Sequence, residues 1–227
     1  MTTPIRNIAI FLCDLTGIMA SPWVEAGYQV ILVDPQHPAG THTDGQITRV
    51  GHVIDHPESW RVIREVIATG RIAFVAGFPP CTDLAVSGAR WFEAKRKIDP
   101  AVQFKAMHVV WQCQMIGELS GAPWFAENPV SQISSFWRKP DHTFSPEYFT
   151  GYCADDNYSK KTCLWIGGGF VMPDKFRDVT LGPPDDRIHK APPGPDRANF
   201  RSATPHGFAR AVFLANHPHH VVSDIAA

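Results

Sequence analysis

Short apolar, β-branched runs alternate along this chain with longer stretches whose apolar residues recur every three or four positions. Asn7 to Cys13 and Tyr28 to Val33 are of the first kind, joined by a short connection containing Gly27. Arg49 to Ile54 reads as a third strand, and 72–77, 123–126 and 162–166 complete the series. His56-Pro57-Glu58 opens a helix with Pro at the first helical position and Gly70 past its end. Trp60, Ile63, Val66 and Ile67 give that helix one apolar face. Asp99-Pro100 opens a longer helix that Gly121 closes. Its apolar positions, Val102, Met107, Val110, Trp111, Ile116 and Leu119, cover much of the circumference, which predicts a well-buried helix. Thr204-Pro205 starts a last helix with Phe208, Val212 and Phe213 facing inward. Strands alternating with helices predict an α/β fold, a mostly parallel sheet with helices on both faces. Two stretches lack a period: 128–160, aromatic and loop-like, and 173–197, a Pro-rich, charged excursion.

Composition narrows the class. With 227 residues and 44% hydrophobic content, the chain can bury one substantial core, so residues 1–227 are expected to form a single domain. No apolar run approaches the roughly 20 residues that span a bilayer. Met1 to Asn7 lacks the charged-then-apolar layout of a secretory signal, and the expectation is a soluble, cytoplasmic protein. The five cysteines (13, 81, 113, 153 and 163) form no Cys-x-x-Cys pair and no zinc-ligand spacing, so no metal is expected. Scattered cysteines in odd number suit a reducing compartment, which leaves a thiol free to be reactive. Residues 1–86 carry five basic and eight acidic side chains, and the remainder 16 basic and 14 acidic. This asymmetry permits a nucleic-acid face in the second half without demanding one.

The candidate chemistry sits where strands end. Phe78-Pro79-Pro80-Cys81 follows the run 72–77, and the two prolines place the thiol on a stiff turn at the carboxyl end of a buried strand. The alternative is a packed loop cysteine. Glu127-Asn128-Pro129 follows Pro123-Trp124-Phe125-Ala126 and offers a carboxyl for the same site. Cys13-Asp14-Leu15-Thr16-Gly17-Ile18-Met19 ends the first strand, and Asp34 ends the second about twenty residues on. Such a loop can hold a polar cofactor, and such an acid can take both ribose hydroxyls of a nucleoside. A plain structural turn fits those residues equally well.

Pro79-Pro80-Cys81 followed downstream by Glu127-Asn128 resembles the catalytic pair of the DNA cytosine-5 methyltransferases. Asp14-Leu15-Thr16-Gly17, Ala26-Gly27-Tyr28 and Asp34 resemble that family's S-adenosylmethionine site. Lys160-Lys161-Thr162 occupies the place of its basic motif, and Arg201-Ser202-Ala203-Thr204-Pro205 more loosely resembles its C-terminal motif. The resemblance implies a Rossmann-like S-adenosylmethionine-dependent methyltransferase fold. It implies a thiolate at Cys81 that adds to carbon 6 of cytosine and activates carbon 5, with a nearby positive charge or helix N-terminus lowering the thiol's pKa. It also implies that Glu127 hydrogen-bonds ring nitrogen 3 and the exocyclic amine. Cofactor contacts fall on Asp14, Thr16, Gly17, Asp34, Pro35, His52, Pro79 and Ser202. Substrate contacts fall on Pro80, Asn128, Ser87, Arg90, Lys160 and Lys161. The implied partner is DNA, its target base flipped out of the stack.

The chain departs from the family pattern at several positions. Met19 stands where a second Gly is usual, Gly51-His52-Val53 replaces Gly-Asp-Ile, and Pro35 replaces a larger apolar residue. Lysines replace the expected Arg pair at 160–161. About forty residues separate Thr162 from Arg201, little room for a target-recognition region. Relaxed sequence recognition, recognition by a partner subunit, or a free cytosine nucleotide as substrate all fit this shortness. A modified cofactor, or a catalytically silent binding subunit, are further alternatives. The stretch 82–91 reads either as a loop closing over the base or as a packed surface loop. Lys95-Arg96-Lys97 reads as a solvated face or a DNA contact, His217, His219 and His220 as a solvated tail rather than metal ligands, and the seven Trp residues mostly as core, with Trp137 or Trp165 the candidates to stack on a base.

Overall fold

A computed structural model describes residues 4–192, 194 and 197–218. Eight strands form one mixed sheet: β1 (Ile8–Leu12), β2 (Gln29–Val33), β3 (Thr41–Asp44), β4 (Ile47–Val50), β5 (Ile72–Gly77), β6 (Trp124–Pro129), β7 (His142–Phe144) and β8 (Thr162–Gly167). Their spatial order is β3-β4-β2-β1-β5-β6-β8-β7. The five central strands, β4 through β6, run parallel, whereas β3, β8 and β7 each pair antiparallel to their neighbours. Chain order therefore reverses between β1 and β5. In open α/β sheets that switch point opens a crevice beyond the carboxyl ends of the strands.

Helices cover both faces, and the purely apolar central strands explain why. Every residue of β1 and β5 is buried, as expected for strands enclosed on two sides. One face is packed by α1 (Ser21–Glu25) and α8 (His206–Asn216), which bring Trp23, Phe208 and Val212 against Phe11, Phe74 and Phe125. The other is packed by α2 (Pro57–Ala68) and α4 (Val102–Ser120), through Val62, Ile63, Cys113 and Ile116. The start of α2 is capped by the His56 ring, which accepts from the Glu58 N–H at 3.2 Å, and Gly121 ends α4 in the left-handed region at φ 61°. Trp124 lies against Gly117 and Gly168. A Cβ at Gly117 would sit 2.4 Å from its ring, so glycine is required for this approach.

Several expectations are corrected. The third strand covers Ile47–Val50 rather than Arg49 to Ile54, because Gly51 passes so close to Pro38 that a Cβ would lie 2.0 Å from its carbonyl oxygen. The hairpin partner β3, turned by Gly45 at φ 56°, escapes the sequence pattern because its Thr-His-Thr-Asp run is polar and largely exposed. Helix α4 is not buried all round: Phe104, Met115 and Leu119 are 66%, 44% and 60% exposed. A 3-10 turn (Val86–Trp91) and α3 (Phe92–Ile98) follow the candidate nucleophile. Within 128–160 lie α5 (Ile133–Phe136), β7 and two 3-10 turns. The described part of the 173–197 excursion contains a 3-10 turn and α6 (Arg187–Lys190), and α7 (Arg197–Ser202) follows. His217 stacks on Phe213 with ring centroids 4.6 Å apart, so it is packed on α8, while His219 and His220 lie outside the described residues. No described helix is long and apolar enough to cross a membrane.

Candidate active site

At the switch point, the backbone itself ties the strand ends together. The Cys13 N–H donates to Val33 O at 2.7 Å, and the Phe78 N–H donates to Leu12 O at 2.8 Å. Cys13 adopts φ 57°, a left-handed turn that redirects the chain as it leaves β1. Asp14 then organises the loop: its Oδ1 accepts from the Gly17 N–H at 2.8 Å and the Thr16 hydroxyl at 3.1 Å. Its Oδ2 is buried with no hydrogen-bond partner among the described residues. The Asp14 carboxyl is pushed up by burial, against the pull of the Gly17 and Thr16 donors. Asp34, also buried, accepts from the Gln36 N–H at 2.8 Å through Oδ1.

On the far side, Pro79-Pro80-Cys81 leaves β5 and turns at once, since Cys81 O accepts from the Leu84 and Ala85 N–H groups. The following segment is stitched down: the Val86 N–H donates to Val130 O and the Gln132 N–H to Leu84 O, both within 3.0 Å. Leu84 is fully buried, so the first half of 82–91 is a packed segment, not a free loop. Asn128, on β6, is buried and donates from Nδ2 to Pro79 O at 2.8 Å. It thus fastens the strand carrying Glu127 to the turn carrying Cys81.

Glu127 is half-buried, but its Oε1 is enclosed and has no partner among the described residues. Burial pushes its carboxyl up, and the Lys160 ammonium pulls the other way. Cys81 is likewise pushed up, first by burial and then by Glu127, while Lys160 and Arg201 favour its thiolate. The expected net lowering of this thiol is therefore corrected: positive charges are present, but desolvation outweighs them.

Asp14, Asp34, Cys81, Glu127 and Asn128 face one cleft of about 730 Å³, within the range of small-molecule sites. It brings together Asp14, Thr16, Asp34, Pro79, Pro80, Cys81, Ser87, Glu127, Asn128, Lys160, Lys161 and Ser202. It does not bring in Gly17, which supports Asp14; Pro35, which is exposed; His52, stacked on His56; or Arg90, which lies over Trp91. Trp165 is fully buried and donates to Arg138 O, with Trp137 stacked upon it, so neither offers a face to the cleft. Lys95 and Lys97 pair with Asp83 and Glu93, and Arg96 donates to Gln103. The wall also contains Cys13, Gln36, Arg197, Asn199 and Arg201, which sequence reasoning did not single out as contacts. Arg201 had a signal, since it opens the Arg-Ser-Ala-Thr-Pro string; Cys13 and Gln36 adjoin the strand-end acids, and Arg197 and Asn199 depend on α7 folding back over the strand ends.

A carboxyl held toward its neutral form beside a thiol can donate a proton to a heteroaromatic nitrogen while the sulfur attacks the ring. The buried acids of β1 and β2 leave a polar recess at the opposite end. No protein-family model matches this chain and no curated protein matches it; the chemistry of the site therefore carries the functional assignment.

Proposed function

We propose that the protein is an S-adenosylmethionine-dependent methyltransferase that acts on carbon 5 of cytosine in DNA. The observation that carries this is the convergence of Cys81 and Glu127 on one cleft whose other end holds Asp14 and Asp34. The order of the parallel strands and the switch-point location support a Rossmann-like methyltransferase fold. The residues fit the cofactor: Asp14 Oδ2 is a buried acceptor without a partner among the described residues, and Asp34 is a second buried acid in the same cleft, of the type that takes ribose hydroxyls. When bound, S-adenosylmethionine supplies an electrophilic methyl group.

The chain's own residues supply the rest. Cys81 Sγ, as the thiolate, bonds to carbon 6 of the base. Glu127 donates its proton toward ring nitrogen 3, where negative charge develops, and accepts from the exocyclic amine. Asn128 keeps both groups in register through its bond to Pro79 O. Once carbon 5 carries the methyl group, its own proton leaves to water, ring nitrogen 3 returns its proton to Glu127, and breakage of the carbon–sulfur bond restores the ring double bond and the thiolate. A second reading, the same chemistry on a free cytosine nucleotide, is favoured by one observation: α7 lines the cleft in the short span after β8.

The test is transfer of labelled methyl from S-adenosylmethionine to mixed-sequence duplex DNA, read by nucleoside mass spectrometry, with Cys81→Ala as control. The expected product is 5-methylcytosine, absent with the variant. S-adenosylmethionine binding without product on DNA, but with product on free deoxycytidine monophosphate, would select the second reading.

A further inference from the structure

Charge in the cleft is segregated. Both acids of its first wall, Asp14 and Asp34, lie at the ends of β1 and β2, while Lys160 and Arg201 act on Cys81, Lys161 lines the same cleft, and Arg197 donates to Ala191 O. Lys160, Lys161 and Arg201 have no carboxylate partner within ion-pair distance among the described residues. Outside the cleft Arg61, Lys95, Arg138 and Arg187 each hold one, whereas Arg64 and Lys139 hold none among the described residues, so burial rather than the missing ion pair sets the cleft apart. Arg201 is the most telling: its Nε is buried and donates to no acceptor among the described residues. A buried donor left unpaired costs about 1–3 kcal/mol, more where the group is charged. Glu127, the carboxyl beside Cys81, offsets the cluster only in part, because burial works against its charged form.

We propose that Arg201, together with Lys160 and Lys161, forms a phosphate site beside Cys81 that seats the phosphate ester of the cytosine nucleotide under attack. This rests on the nucleotide reading of the cleft given above. The guanidinium offers a planar fork of N–H donors suited to a phosphate, and the two ammonium groups add point charge. Seating the phosphate here would fix the base between Cys81 and Glu127 and leave the acidic end to the cofactor. The shared ligand is a phosphate monoester or diester, from a free nucleotide or a strand.

The test compares wild type with Arg201→Gln and Lys161→Gln by calorimetry and fluorescence anisotropy. Probes are deoxycytidine, deoxycytidine monophosphate and a labelled cytosine-containing oligonucleotide, with S-adenosylhomocysteine as a probe of the intact cofactor end. For each variant, phosphate-bearing probes are expected to bind about tenfold more weakly. The slope of log affinity against log salt for the oligonucleotide should fall by roughly one. Deoxycytidine and S-adenosylhomocysteine affinities should not change. Phosphate-dependent binding by the monophosphate assigns the phosphate to a free nucleotide; by the oligonucleotide alone, to a strand; both uphold the site. Unchanged phosphate binding in Arg201→Gln overturns it, as does an equal loss of S-adenosylhomocysteine, which would put Arg201 at the cofactor end. Because the readout is binding, a wild type that shows the phosphate dependence yet yields no methylated product sinks the reaction and keeps the site.

Discussion

Replacing Glu127 by Gln should make the protein more stable while abolishing methyl transfer. Most substitutions destabilise, so the opposite sign is diagnostic. Glu127 Oε1 is enclosed without a partner among the described residues, and burial raises its pKa against the weaker pull of Lys160. A carboxyl whose folded pKa exceeds its unfolded value contributes most below the unfolded value. That contribution is lost as pH rises through the folded one. At low pH the neutral carboxyl and the amide are near-isosteres, and the two proteins should melt together. As pH rises, wild type must either ionise an enclosed group or hold a proton, and Gln needs neither. The gain is set by proton linkage, about 1.4 kcal/mol for each unit by which burial raises the carboxyl's pKa. Each kcal/mol is worth about 2–4 °C in Tm for a chain of this size. The assay is thermal unfolding by circular dichroism at a series of pH values, with methyl transfer measured in parallel. A Tm gain that does not grow with pH, or a variant that melts lower than wild type at neutral pH, would show that Glu127 is not held against its charge by burial.

The other expectations are simpler. Alkylation of Cys81 by iodoacetamide in the free protein should be slower at pH 7 than that of an unburied thiol and should rise into the alkaline range, since burial and Glu127 push the thiol up; a rate at pH 7 matching or exceeding that of a free thiol counts against this. Asn128→Ala removes the bond to Pro79 O and should cost about 1–3 kcal/mol of stability. It should also lower kcat with little change in the KM for S-adenosylmethionine; an unchanged kcat would make Asn128 a core residue only. Gly117→Ala places a Cβ 2.4 Å from the Trp124 ring and should lower stability by about 1–3 kcal/mol through overpacking, read by chemical denaturation; a neutral result would mean that Trp124 shifts freely.

What the sequence made legible follows a physical divide between local and long-range causes. The buried strands were readable because enclosure on two faces demands unbroken apolar runs such as Ile72–Gly77. The helix start at Pro57 was readable because proline suits the first turn. Asp14, Asp34, Cys81 and Glu127 could be picked out for the same reason: Glu127 lies within β6 and the others follow soon after a strand, so the strands fix their positions at the cleft. The polar edge strand β3 carried no such pattern, because its pairing partner rather than its own composition makes it a strand. The wall built by Arg197, Asn199 and Arg201 was hidden more deeply. Asn199 meets Gln36 at 3.5 Å across 163 positions of sequence, a proximity that no local period encodes. The departures at Pro35 and His52 belong to the same side of this divide. Both residues sit beside elements that do form the cleft, yet one is turned to the surface and the other is held by His56. If Arg201 seats a phosphate, the site is assembled from two kinds of information. The reacting pair is written locally at strand ends, and the anchoring cations are delivered by the chain's return after β8. Shortening that return would leave Cys81 and Glu127 in place but remove Arg201 from the cleft. The length of the 162–201 span therefore bears on substrate capture more than on the chemical step.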